Sequence, residues 1–227
     1  MTHIAENISA TAQKIRELEA KYGRPESSVN LLVVSKRHAE DKIRVAATAG
    51  ITEFGENFLQ EAEKKIAALA DLNLSWHFIG PIQSNKTRGI AENFDWVQSV
   101  EREKIAQRLS EQRSPDKASL NVCIQVNLSQ EASKSGTDLA NVETLCRTVD
   151  ELPRLQLRGL MAIPAPEEDF EKQRECFRVL AEEYQRLQKL FPAMDTLSMG
   201  MSNDYEAAIA EGSTMLRLGT ALFGPRS

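Results

Sequence analysis

The chain reads as an α/β protein of the TIM type, a (β/α)8 barrel with an extra N-terminal helix. Three observations predict it. Eight short apolar runs alternate with charged stretches of helical period along the 227 residues. The stretches between runs are too long for hairpins, so consecutive strands must lie parallel. No G-x-G-x-x-G turn follows the first run, which counts against an open doubly wound sheet that binds a dinucleotide. Eight such units can close on themselves.

The elements follow in order. Ile4, Ile8, Ile15, Leu18 and Tyr22 recur at helical spacing and Gly23-Arg24-Pro25 ends them, so Ile4 to Tyr22 is the leading helix. The strand runs are Asn30–Lys36, Glu53–Asn57, Ser75–Gly80, Trp96–Val100, Leu120–Val126, Leu155–Met161, Thr196–Gly200 and Met215–Gly219. Helical patterns fill the gaps at about Ala39–Ala49, Asn57–Ala70, Ser84–Asn93, Arg102–Arg113, Asp138–Leu152, Glu167–Leu190 and Asp204–Glu211. The sixth is the clearest, with Phe170, Phe177, Leu180, Tyr184 and Leu187 on one face. Without a linker or low-complexity segment, residues 1–227 read as one domain.

Composition narrows the function. A net charge of −5 with scattered basic residues offers no stripe for nucleic acid. No apolar run approaches the length of a membrane span. The N-terminus lacks the pattern of a signal peptide. Cys123, Cys146 and Cys176 are widely spaced, form no C-x-x-C, and keep no ligand spacing with His3, His38 or His77. They read as reduced thiols of a cytoplasmic protein that binds no metal.

Barrel chemistry sits at the carboxyl ends of the strands. Lys36 closes the first run, where burial and the neighbouring Arg37 would favour its neutral, nucleophilic amine. The plain alternative is a lysine that snorkels to solvent. Ser198-Met199-Gly200-Met201-Ser202 leads into a helix with Asn203 as N-cap and Glu206 at capping-box spacing. Its backbone amides and the hydroxyls of Ser198 and Ser202 suit an anion; the plain alternative is a βα loop that caps itself. Gly219-Thr220 repeats that logic one unit later. Arg217, inside the last run, offers only donors. It would face a ligand or pair with a carboxylate such as Glu56. Asn57 could place an amide beside a ring, and His77 reads as a core histidine. Lys134 could supply a second amine from a loop. A reactive amine and an anion cradle on the first and last strands suit a phosphorylated aldehyde.

These residues fall in an ordered series: Val33-Val34-Ser35-Lys36, Phe54-Gly55-Glu56-Asn57, Trp76-His77-Phe78-Ile79-Gly80, Gln83-Ser84-Asn85-Lys86, Ser133-Lys134-Ser135-Gly136, Arg158-Gly159-Leu160-Met161, Leu197-Ser198-Met199-Gly200-Met201-Ser202 and Arg217-Leu218-Gly219-Thr220. The series resembles the pyridoxal phosphate homeostasis protein family and covers nearly the whole chain. The resemblance implies a barrel similar to the N-terminal domain of alanine racemase, the fold-type III class. It implies that Lys36 holds pyridoxal 5′-phosphate (PLP) as an aldimine, that Ser202, Gly219 and Thr220 hold its phosphate, that Arg217 faces the pyridine nitrogen and that Asn57 lies near the ring. It implies a part in vitamin B6 homeostasis, with delivery of PLP to apo-enzymes and without established catalysis. A PLP-dependent racemase is the competing reading, and a Schiff-base aldolase or isomerase acting on a sugar phosphate is a third. A racemase needs a second acid–base group, which a tyrosine of a second domain supplies in alanine racemase. The chain is expected to lack that domain and to work as a monomer. Of its tyrosines, Tyr22 and Tyr184 read as packed on helix faces, and Tyr205 follows the cap.

Overall fold

The structure, a computed structural model, describes residues 2–128 and 135–224. Lys134 lies outside the described residues. Eight parallel strands close into a barrel in sequence order. They are β1 (Asn30–Val34), β2 (Glu53–Glu56), β3 (Ser75–Phe78), β4 (Trp96–Val100), β5 (Leu120–Val126), β6 (Leu155–Ala162), β7 (Thr196–Ser198) and β8 (Met215–Leu218). The helices are α1 (Thr2–Lys21), α2 (Glu40–Thr48), α3 (Leu59–Ala68), α4 (Thr87–Asn93), α5 (Glu103–Gln112), α6 (Leu139–Asp150), α7 (Phe170–Gln188), α8 (Tyr205–Ala210) and α9 (Thr220–Phe223). The one-turn α9 is unforeseen, because four residues carry no readable period.

Strand periodicity sorts the side chains. Leu216 and Leu218 join the main core between strands and helices. Met215, one residue out of phase, joins Leu32, Val34 and Ile79 in a separate cluster. Trp96, Cys123 and Met161 form another. These two small clusters fill the lumen, since alternate strand residues face opposite sides. α1 packs against α2, α8 and α9. Its Ile15 and Leu18 are fully buried, each worth about 1.5–3 kcal/mol relative to exposure. Cys123 and Cys146 are buried free thiols, and Cys176 is a half-buried one.

Closure pairs β1 with β8, setting Leu32 opposite Arg217 and Val33 opposite Leu218. That pairing brings Lys36, just past β1, to the same mouth as the Arg217 strand.

Candidate functional site

A cavity of about 740 Å³ opens at the carboxyl ends of the strands. Lys36, Asn57, Ser202, Arg217, Gly219 and Thr220 all line it. Val34, Ile79 and Met201 add apolar surface, and the Ile163-Pro164 loop supplies another part of the wall.

The chain on both sides of Lys36 is tied down. Ser35 donates its hydroxyl to Glu56 Oε1 at 2.6 Å. Lys65 Nζ donates to the Ser35 carbonyl at 2.8 Å and to Glu56 Oε1 at 2.7 Å. It also reaches Glu61 Oε1 at 2.6 Å, and that same oxygen accepts the Arg37 amide. Arg37 has φ 62°, a costly conformation for a residue with a Cβ, which persists only where surroundings enforce it. Burial pushes the Glu56 carboxyl up, against the pull of Lys65 and Ser35. Glu56 partners Lys65 and Ser35, and of the two alternatives for Arg217 the pair with Glu56 does not form. Lys65 is unforeseen. Its signal was its spacing: Leu59, Ala62 and Lys65 share the buried face of α3, with Glu61 four residues before it.

Among the described residues, no carboxylate is in hydrogen-bond contact with Arg217. Nη1 donates to the carbonyl and to the hydroxyl of Ser198, both at 2.8 Å, and Nη2 to the Ala162 carbonyl at 2.8 Å. Burial pushes the guanidinium down to about 10, so it stays charged at neutral pH. Ser198 is fully buried and gives its hydroxyl proton to Gln98 Oε1, so it is not the anion donor expected. His77 is a core histidine, stacked on Trp96 with centroids 5.0 Å apart and pushed down to about 3 by burial.

The loop before α8 also differs from expectation. Asp204, not Asn203, is the N-cap residue. Its Oδ1 accepts the Met201 amide at 2.6 Å and braces the loop that carries Ser202. Glu206 makes no capping box; it accepts from Lys21 Nζ and the Tyr22 hydroxyl. Gly219 has an ordinary negative φ of −129°. Its need is space: a Cβ there would stand 2.9 Å from the Val34 carbonyl oxygen. Gly80 works alike, since a Cβ would meet the Asn57 carbonyl oxygen at 2.2 Å. That approach seats Asn57 in the cavity wall, where its buried Oδ1 has no hydrogen-bond partner among the described residues. An amine, a fixed cation, two hydroxyls and an unspent amide oxygen fit a phosphorylated aromatic aldehyde.

The sequence pattern of the alanine racemase N-terminal domain matches residues 7–227. A pyridoxal phosphate homeostasis protein of Pseudomonas aeruginosa is 56% identical over 226 residues, spanning 100% of this chain and 97% of that one. The chain belongs to the pyridoxal phosphate homeostasis protein family. PipY of Synechococcus elongatus, a structure with PLP bound, is similar at 36% identity and a TM-score of 0.83, covering 97% of this chain and 100% of that one. Alanine racemase from Corynebacterium glutamicum is 20% identical with a TM-score of 0.69, covering 99% of this chain and 61% of that one; this likeness shows the fold alone. The family and barrel expected from sequence are thereby borne out. Among the described residues no helix is long and apolar enough to cross a membrane, and no cluster could hold a metal ion.

Proposed function

We propose that this chain binds pyridoxal 5′-phosphate and serves vitamin B6 homeostasis, holding the cofactor on Lys36 and releasing it to apo-enzymes. The observation that carries the reading is the convergence of Lys36, Arg217 and the Ser202–Thr220 hydroxyls on one cavity. The PLP-bound PipY structure and the naming of the Pseudomonas aeruginosa relative support it.

The cofactor, when bound, supplies an aldehyde, a pyridine ring and a phosphate dianion. Lys36 is the amine that condenses with the aldehyde, with loss of water. Ser202, Gly219 and Thr220 receive the phosphate through hydroxyl and backbone donors. Asn57 flanks the ring. Arg217 has only donors to offer, so it keeps the pyridine nitrogen unprotonated and the ring a weak electron sink. The relative's name describes homeostasis and no reaction, which supports a holding role over racemisation. The same reading takes residues 1–227 as one barrel domain working as a cytoplasmic monomer.

Loaded protein mixed with an apo-transaminase should restore its activity, while alanine stays at background racemisation in a chiral assay. Robust Lys36-dependent racemisation would overturn the reading in favour of an enzyme.

A further inference from the structure

Behind the cavity a chain of hydrogen bonds crosses the barrel lumen. It starts at Arg217 on β8 and passes to Ser198 on β7. The Ser198 hydroxyl donates to Gln98 Oε1 on β4 at 2.6 Å. Gln98 Nε2 contacts His77 Nδ1 on β3 at 3.0 Å and Met215 Sδ at 3.1 Å. Ser198, Gln98 and His77 are all fully buried.

The direction of each bond is forced. A guanidinium only donates, so Ser198 Oγ must accept from it. The serine hydrogen is then free to go on to Gln98. Accepting it fixes the amide with oxygen toward Ser198 and nitrogen toward His77. His77 must therefore present a lone pair at Nδ1 and carry its proton on Nε2. The members from Arg217 to Gln98 are satisfied in sequence, as a buried polar chain requires, and the chain ends at His77, whose buried Nε2 has no hydrogen-bond partner among the described residues.

We infer that Gln98 is a positioning residue for Arg217: it orients the Ser198 hydroxyl and so fixes the guanidinium against Ser198 and Ala162. Three of the five guanidinium N–H donors are spent on these contacts. The others remain for a ligand in the cavity that Arg217 lines. The inference rests on the reading that Arg217 faces the cofactor ring. A glutamine that merely fills the lumen would act on ligands independently of Arg217, and that difference can be measured.

The probe is 4′-deoxypyridoxine 5′-phosphate, which keeps the ring and phosphate but lacks the aldehyde, so its binding does not require Lys36. Gln98→Leu should raise its Kd about tenfold, as expected for disturbing one hydrogen bond to a charged group. In an Arg217→Met background the same change should raise Kd by less than about twofold, because coupled residues are not additive. Ser198→Ala should repeat the pattern and serves if Gln98→Leu does not fold. A 15N chemical shift of the bound pyridine nitrogen that moves in Gln98→Leu protein would confirm the route through Arg217. Equal losses in both backgrounds, or no loss in the first, would overturn the inference. Were the cofactor to be carried by a lysine other than Lys36, this comparison would stand unchanged. An analogue that fails to bind wild-type protein would overturn the inference and the cofactor reading together.

Discussion

Lys65 and Arg217 are equally withdrawn from water, at 3% and 4% exposure, yet they are held in opposite ways. Lys65 sits between two carboxylates, Glu56 and Glu61. Arg217 is held by two carbonyls and a hydroxyl. The first cation spends its charge inside the protein, tying down the chain around Lys36. The second lines the cavity with no carboxylate bonded to it among the described residues. Asp204 tempers Arg217 from a distance, while its own carboxylate oxygen is committed to the Met201 amide. A structural cation and the proposed ligand-facing cation are thus told apart by their partners, not by their burial.

Lys65→Met tests the first half of that contrast and carries the largest expected effect. It strands Glu56 as a buried, unpaired carboxylate, which costs about 3–5 kcal/mol of stability, read as a fall in the urea midpoint. Burial raises the Glu56 carboxyl, so its ionised form is what the fold disfavours. The cost is therefore present at neutral pH and shrinks as pH falls and Glu56 takes a proton. A variant as stable as wild type at pH 7 would show that the clamp is not what holds the strand exit.

Arg217→Met should cost less stability, about 1–3 kcal/mol, because it leaves unsatisfied acceptors and no carboxylate that was bonded to it. Its larger consequence is on PLP affinity, followed by equilibrium dialysis. If Arg217→Met proved the more damaging change to the fold, the contrast between the two cations would fail.

The two regions were not equally legible. Lys36, Asn57, Ser202, Arg217, Gly219 and Thr220 could be picked out because a barrel puts its chemistry at strand ends, and the strand runs were visible as apolar segments. Lys65 was not, because a lysine in a charged helical stretch looks solvated until the barrel shows which face is inward. Gln98 was hidden for a different reason, and Ser198 was singled out for another role, as an anion donor. In a strand buried on both sides, such as Trp96–Val100, no apolar–polar alternation marks the residues that face the lumen. The cap was misplaced by one residue, at Asn203, because Asp204 satisfies the loop amide of Met201 instead of its own helix. The partners of Arg217 come from β6 and β7, far away in sequence, and only closure brings them together.

His77 sharpens the comparison at a smaller scale, as a third buried titratable group that is kept neutral. Its folded pKa is lowered from 6.5 to about 3 by burial. The unfolded chain therefore binds a proton that the folded chain refuses between those values, and stability falls as pH drops through them. The slope should be about 1.4 kcal/mol per pH unit in that window. His77→Gln should flatten this part of the pH profile of urea unfolding. An unchanged slope would mean that His77 takes up a proton in the folded protein.

At the centre stands the assignment of Lys36, which lines the same cavity as Arg217, as the amine that holds the cofactor. It is tested most directly by borohydride reduction of PLP-loaded protein, followed by peptide mapping in a mass spectrometer. One dominant phosphopyridoxyl modification, on Lys36, is expected. Modification chiefly at Lys65, Lys86 or Lys134, with Lys36 untouched, would contradict it.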